Sequence, residues 1–232
     1  MQVKLILASA SPARLATLRA AGINPTVRVA DIDEPAVLAA ALANQPNLSP
    51  VDQVVVLAKA KAQAVAAAMT KTDLAATDPV ALSEPTARVR RLVLGCDSML
   101  ELDGQVVGKP SDPQQAKQRI RQQSGRNATL HTGHWLCEPD GAQTGAASST
   151  VVQFADLTDS EIDAYVATGE PLAVAGAFTI DGLGGPFIRG VIGDHHGVIG
   201  LSLPLLRNLL KHFGIAITDL WQPAAQPQQP PK

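Results

Sequence analysis

Aromatic residues make up only 3% of this 232-residue chain, and there are just two cysteines, Cys96 and Cys137. A core short of aromatics must be built from small aliphatic side chains, and the 46% hydrophobic content supplies them. Two cysteines without metal-type spacing exclude a disulfide framework and point to a reducing compartment. A basic excess is missing as well. The net charge of −2 argues against a general nucleic-acid binder, though it leaves room for a local basic pocket. Nor does any apolar run approach the roughly 20 residues of a membrane span. The short run Leu5–Ala8 reads as too short for a signal-peptide core, and Arg14 and Arg19 follow closely. These absences lead to the expectation of a cytoplasmic protein with one domain or two closely joined lobes.

The chain divides into strands and helices with recognisable starts and stops. Val3 to Ala8 reads as a buried strand; Ser11 caps the helix that follows, Pro12 fits its first turn and Gly22 ends it. Thr26 to Ala30 reads as a second strand, and Pro35 to Asn44 and Val51 to Met69 as helices. On the longer helix Lys59 and Lys61 lie about 200° apart and share no face. Residues 70–90 contain two prolines and no firm period, and are expected to form a surface insertion. Arg91 to Cys96 returns to strand, and Asp103-Gly104 suits a hairpin turn before Val106-Val107. A helix is expected from Asp112-Pro113 to about Gly125, then strands at 128–137 and 148–154. Thr158 and Glu161 form a capping box before Ile162 to Ala167. Residues 171–200 are glycine-rich, with short strands expected at Phe178–Ile180 and Phe187-Ile188, and Pro204 to Phe213 is an amphipathic helix. The domain is expected to span 1–221; the Pro/Gln-rich tail 222–232 is too poor in apolar residues to pack.

Ligands of α/β folds usually sit at the carboxyl ends of strands. The first strand ends in Ser9, Ser11 and Arg14, at a helix start that offers backbone N–H groups to an anion; Ser11 equally reads as a plain cap. Asp97 follows the apolar run LVLGC, and Lys109 follows the hairpin. Asp31, Asp33 and Glu34 offer oxygen ligands to a hard cation, or favour a helix dipole. Together they suit a triphosphate, which needs cations, donors, a metal and a group to orient water. Other features are discounted. Asp194-His195-His196 reads as a chance string, His131 and His134 should face opposite sides of a strand, and Cys96 reads as a small strand hydrophobe.

In order along the chain, LASASPARLATLRAAGI (7–23), ADIDE (30–34), LAKAKA (57–62), LGCDSML (94–100), DGQVVGKP (103–110), SGR (124–126), TG (132–133), TGEPLAVAGAF (168–178) and GVIGLSLPLLRNLL (197–210) resemble the Maf family of nucleotide pyrophosphatases. The resemblance implies an elongated mixed-sheet α/β fold with two lobes around a central cleft, and often a homodimer. It implies cytoplasmic hydrolysis of nucleoside triphosphates to monophosphate and pyrophosphate, with a divalent cation such as Mg²⁺ or Mn²⁺, and neither a nucleic-acid nor a membrane partner. By matching motif, Asp97 would be the catalytic carboxylate, Glu34 and Asp97 metal ligands, and Ser9, Arg14, Lys61 and Lys109 phosphate contacts. The choice of Lys61 over Lys59 rests on the resemblance. The chain departs from the family pattern at Ala13, where an arginine is usual, at Ala173-Val174 and at Ala128. It also has Asp181 in place of a glutamine, a position tied to base choice. A non-catalytic nucleotide-binding regulator and a nucleotidyltransferase stand as the alternatives.

Overall fold

A computed structural model of the chain describes residues 2–69, 89–139 and 141–221. The expected insertion, apart from its last two residues, and the Pro/Gln-rich tail lie outside them.

Seven strands form one mixed sheet in the order β2-β1-β3-β5-β6-β7, with β4 also paired to β3. They are β1 (Gln2–Leu7), β2 (Thr26–Val27), β3 (Val89–Leu102), β4 (Gln105–Val107), β5 (Asn127–Cys137), β6 (Gln143–Phe154) and β7 (Ile188–Ile192). Strands β2, β1 and β3 run parallel; β5, β6 and β7 continue antiparallel. The parallel part is built by crossovers through α1 (Pro12–Ala20), and through α2 (Glu34–Asn44) and α3 (Pro50–Ala67). The fold is therefore α/β with a mixed sheet, as the family resemblance implies.

Helix starts follow their local chemistry. Ser11, Asp33 and Ser49 each accept a hydrogen bond from a backbone N–H of the turn they open, and a proline stands in each first turn. Asp33 is thus a cap. The Thr158–Glu161 capping box forms in both directions at the start of a helix from Asp159 to Ala167.

Strand alternation assigns the two faces. Leu92, Leu94 and Cys96 of β3 pack with Leu5 and Leu7 against α1 and against Leu206, Leu209 and Leu210 of the helix Leu203–His212. On the other face Val93 packs against Ala62, Val65 and Ala66 of α3, and Met99 against Val54 and Leu57. Gly95 and Gly133 are what let α3 lie directly on the strands. A Cβ at Gly95 would stand 2.1 Å from the Ala58 carbonyl oxygen, and one at Gly133 would stand 2.2 Å from that of Val54.

Several boundaries differ from expectation. Strand β3 starts at Val89, inside the expected insertion, and runs through Asp97 and Ser98 to Leu102. The polar pair masks its continuity. Strand β2 stops at Val27, and β6 begins at Gln143 rather than Ser148. Phe178–Ile180 is not a strand; Phe178 instead packs edge-on against Phe154 at 4.9 Å. Ile188 opens β7, and Phe187 belongs to the 3₁₀ turn before it. A one-turn helix at His195–Ile199 was not expected.

Candidate active site

The site arises from how β3 is paired along one edge. Strand β5 covers the far edge from Val93 to Glu101. On the near edge β1 pairs with Gln2↔Val89 through Leu7↔Leu94, and β4 pairs only with Leu100, Glu101 and Leu102. Among the described residues, Gly95 to Met99 have no strand partner on that edge. Ser9 lies just past the end of β1 and Lys109 just past the end of β4, so the two flank the gap. Asp97 sits in its middle.

Asp97 shares the face of Gly95, so it points toward α3. Close seating of α3 brings Lys61 Nζ to 2.6 Å from Asp97 Oδ1. The same ammonium lies 3.0 Å from Glu34 Oε1, at the first residue of α2. Lys59, turned away as expected, sits 4.9 Å over the Trp135 ring. Burial pushes the Asp97 carboxyl above the usual carboxylate range; Lys61 and Arg14 pull it down and Glu34 adds to the rise.

Ser98 points to the other face, where Arg14 gathers three contacts. Its Nε donates to the Gly200 carbonyl at 2.8 Å, one terminal nitrogen to Ser9 Oγ at 3.0 Å and the other to Ser98 Oγ at 3.1 Å. Ser98 Oγ lies 2.9 Å from Thr132 Oγ1, which donates to the Gly197 carbonyl at 2.8 Å. A fixed guanidinium therefore stands at the carboxyl end of β1. Of the six groups expected at the phosphates and the metal, five form two linked sets: Ser9 with Arg14, and Glu34 and Asp97 through Lys61. The sixth, Lys109, is exposed, with no ion pair among the described residues.

Asp181 lies apart from these contacts, exposed on a loop anchored by Glu170. That carboxylate accepts from Thr179 Oγ1 at 2.5 Å, Tyr165 Oη at 2.9 Å and the backbone N–H groups of Leu183 and Gly184. Asp181 helps line a cavity of about 330 Å³ with Ala13, Thr17, His195 and His196. Asp194, His195 and His196 bring three donor atoms within 4.8 Å of one another, a set able to hold a divalent cation. The string set aside as chance in the sequence is thus a real side-chain cluster. What gathers it is the Asp194 cap on the His196 N–H at 3.1 Å.

The histidines of β5 do face opposite ways. His131 bridges Ser149 Oγ and Glu101 Oε2 at 2.8 Å each. His134 is buried, with Nδ1 3.0 Å from the Thr132 carbonyl, while Nε2 accepts from the Ser202 N–H at 2.8 Å. Burial lowers its pKa to about 4. Cys96 is fully buried, and its thiol is pushed up to about 11 by burial, which removes it as a nucleophile.

Residues 4–213 match the sequence model of the Maf-like proteins. This chain belongs to that family. It is 50% identical over 226 residues to a nucleoside triphosphate pyrophosphatase of Leifsonia xyli subsp. xyli, covering 96% of this chain and 98% of that one. Identity is 49% over 222 residues to the protein of the same name from Streptomyces coelicolor, covering 95% and 96%. With its counterpart from Nocardia farcinica it is 47% over 230 residues, covering 97% and 100%. Within this Maf-like chain no helix of the described residues is long and apolar enough to cross a membrane.

Proposed function

We propose that this protein hydrolyses nucleoside triphosphates between the α- and β-phosphates, releasing a nucleoside monophosphate and pyrophosphate. The observation that carries this reading is the Glu34–Lys61–Asp97 contact chain in the uncovered stretch of β3, with Arg14 fixed beside it. The names of the relatives support the same activity.

Each residue has a task in this proposal. Asp97 takes a proton from the water that attacks the α-phosphorus. Burial suits it to the role, because a carboxylate of raised pKa is a stronger base. As the water oxygen bonds to phosphorus, the bond to the bridging oxygen breaks and pyrophosphate departs. Lys61, Arg14 and Lys109 stabilise the charge gathering there, and Ser9 fixes Arg14 and offers its hydroxyl to a phosphate. Two carboxylates drawn together around one ammonium are oxygen donors of the kind hard cations take, so Glu34 and Asp97 would hold Mg²⁺ or Mn²⁺. Bound there, such an ion supplies charge neutralisation at the phosphates. Asp181 takes part in base choice by accepting from base N–H groups. The two sides of the β3 gap correspond to two lobes around a central cleft, and the protein acts in the cytoplasm as a homodimer.

A panel of ordinary and modified nucleoside triphosphates with Mg²⁺ or Mn²⁺, with pyrophosphate and orthophosphate read separately, tests this. Equimolar monophosphate and pyrophosphate are expected. Tight binding without turnover, or turnover only with a second acceptor, overturns it in favour of a regulator or a transferase.

A further inference from the structure

Lys109 stands on a loop, yet the residue before it is held from several directions. The carbonyl of Gly108, the residue before it, accepts from Arg119 Nη1 at 2.5 Å and from the Gly176 N–H at 3.3 Å. Arg119 projects from α4 (Pro113–Gln123), and the last residue of the same helix, Gln123, donates through Nε2 to the Gly176 carbonyl at 2.6 Å. Gln123 is 1% exposed, so that contact is made away from water. Gly176 in turn lies on Leu100 of β3, the residue that pairs with Val107 of β4. On the other side of Lys109, Pro110 is buried, and a residue before proline is confined to extended backbone. Next to Gly176, Ala177 is buried at φ 59, an uncommon backbone for alanine that its surroundings must impose.

The Gly108 carbonyl is thus where a helix, a tight turn and a hairpin meet, one bond from the lysine. We infer that Arg119 and Gln123 are positioning residues that aim Lys109 into the gap beside Asp97, Arg119 directly through Gly108 and Gln123 through Gly176. A mobile lysine loses side-chain and backbone freedom each time it engages a phosphate; a pinned backbone removes part of that cost before substrate arrives. Arg119 fits the task because its planar fork serves a carbonyl from a fixed helix position. The same link ties the 168–178 segment, through Gly176, to the loop that carries Lys109. This inference rests on the reading of Lys109 as a phosphate contact.

A double-mutant cycle in the full-length enzyme tests it. Lys109→Ala, Arg119→Ala and the pair are compared by steady-state pyrophosphate release, with thermal melts on each. Lys109→Ala alone reports on the phosphate role. If that variant is silent, the role fails and the inference with it. If it raises KM about tenfold or more, Arg119→Ala should raise KM several-fold with a smaller change in kcat, Arg119→Lys should restore most of it, and Arg119→Ala should add little once Lys109 is gone. Gln123→Leu, which fills the same space without the donor, should behave like a weaker Arg119→Ala. An equal loss from Arg119→Ala with and without Lys109, or a loss that tracks only the melting temperature, overturns the inference.

Discussion

Lys61 Nζ lies 2.6 Å from Asp97 Oδ1 and 3.0 Å from Glu34 Oε1, so one ammonium links two carboxylates from separate elements. Lys61 and Asp97 are each 11% exposed at the side chain, and Glu34 is 48% exposed. The inner pair is sheltered from water, and the outer carboxylate remains open to an arriving ligand.

Replacing Asp97 with asparagine should leave nucleotide binding in place and lower turnover by roughly 10²-fold or more, the scale of a lost general base. Equilibrium binding and single-turnover pyrophosphate release measure the two separately. Near-normal turnover would remove Asp97 from the base role.

The same substitution has a stability signature. Asp97 has a folded pKa above its ordinary 3.8, so the folded chain holds this proton more tightly than the unfolded chain does. Its stabilising contribution is present below 3.8 and is lost as pH rises through the raised value. Asp97→Asn should therefore melt at or above the wild-type temperature at pH 8, with the advantage shrinking on acidification. A variant several degrees less stable at every pH would mean that Asp97 serves the fold.

Lys61→Met removes a charge that holds Asp97 down, so the acid limb of the kcat/KM profile should move to higher pH. Turnover should also fall roughly 10²-fold, as expected when a preorganised cation is lost from the reacting centre. Lys59→Met, at a lysine whose ammonium sits over the Trp135 ring and not beside Asp97, should leave the limb where it was.

Gly95→Ala tests the seating of α3. A Cβ there would overlap the Ala58 carbonyl, so the helix must lift. Overpacking of this kind costs about 1–3 kcal/mol. Because the lift separates Lys61 from Asp97, activity at a temperature where the variant is fully folded should fall as well. Urea denaturation and turnover check the two effects.

His134 gives the opposite pH sign from Asp97. Its folded pKa of about 4 lies below the ordinary 6.5, so on acidification the unfolded chain takes up this proton first. Stability from His134 is complete above 6.5 and drains away down to about 4, at a slope of about 1.4 kcal/mol per pH unit. His134→Gln keeps an acceptor for the Ser202 N–H and should flatten that slope in urea titrations between pH 6.5 and 4.5.

Much of this was legible in the residues themselves. Capping serines, first-turn prolines and the Thr158–Glu161 box announce helix starts through local hydrogen bonding, which needs no tertiary partner. The opposite directions of Lys59 and Lys61 follow from helical geometry alone. The length of β3 was not legible, because Asp97 and Ser98 are polar where a buried strand should be apolar, and local patterning cannot tell a functional interruption from an end. The close approach at Gly95 and Gly133 depends on helix residues more than 30 positions away in the chain, and no nearby residue hints at it. Arg14 could be singled out, but its contact with Gly200 spans 186 residues of sequence separation. In the sequence Asp194 and the two histidines are only a string; the turn that Asp194 caps is what makes their side chains converge.

The bare stretch of β3 has a further consequence. With about 3.3 Å per residue along a strand, the four steps from Gly95 to Met99 leave roughly 13 Å of β3 uncovered between the serine-bearing turn and the lysine-bearing loop. Backbone pairing on both flanks makes that stretch a gauge. Side-chain substitutions leave the gauge unchanged, whereas inserting or deleting a single residue there would rephase one bank of the opening against the other and turn Asp97 to the wrong side of the sheet.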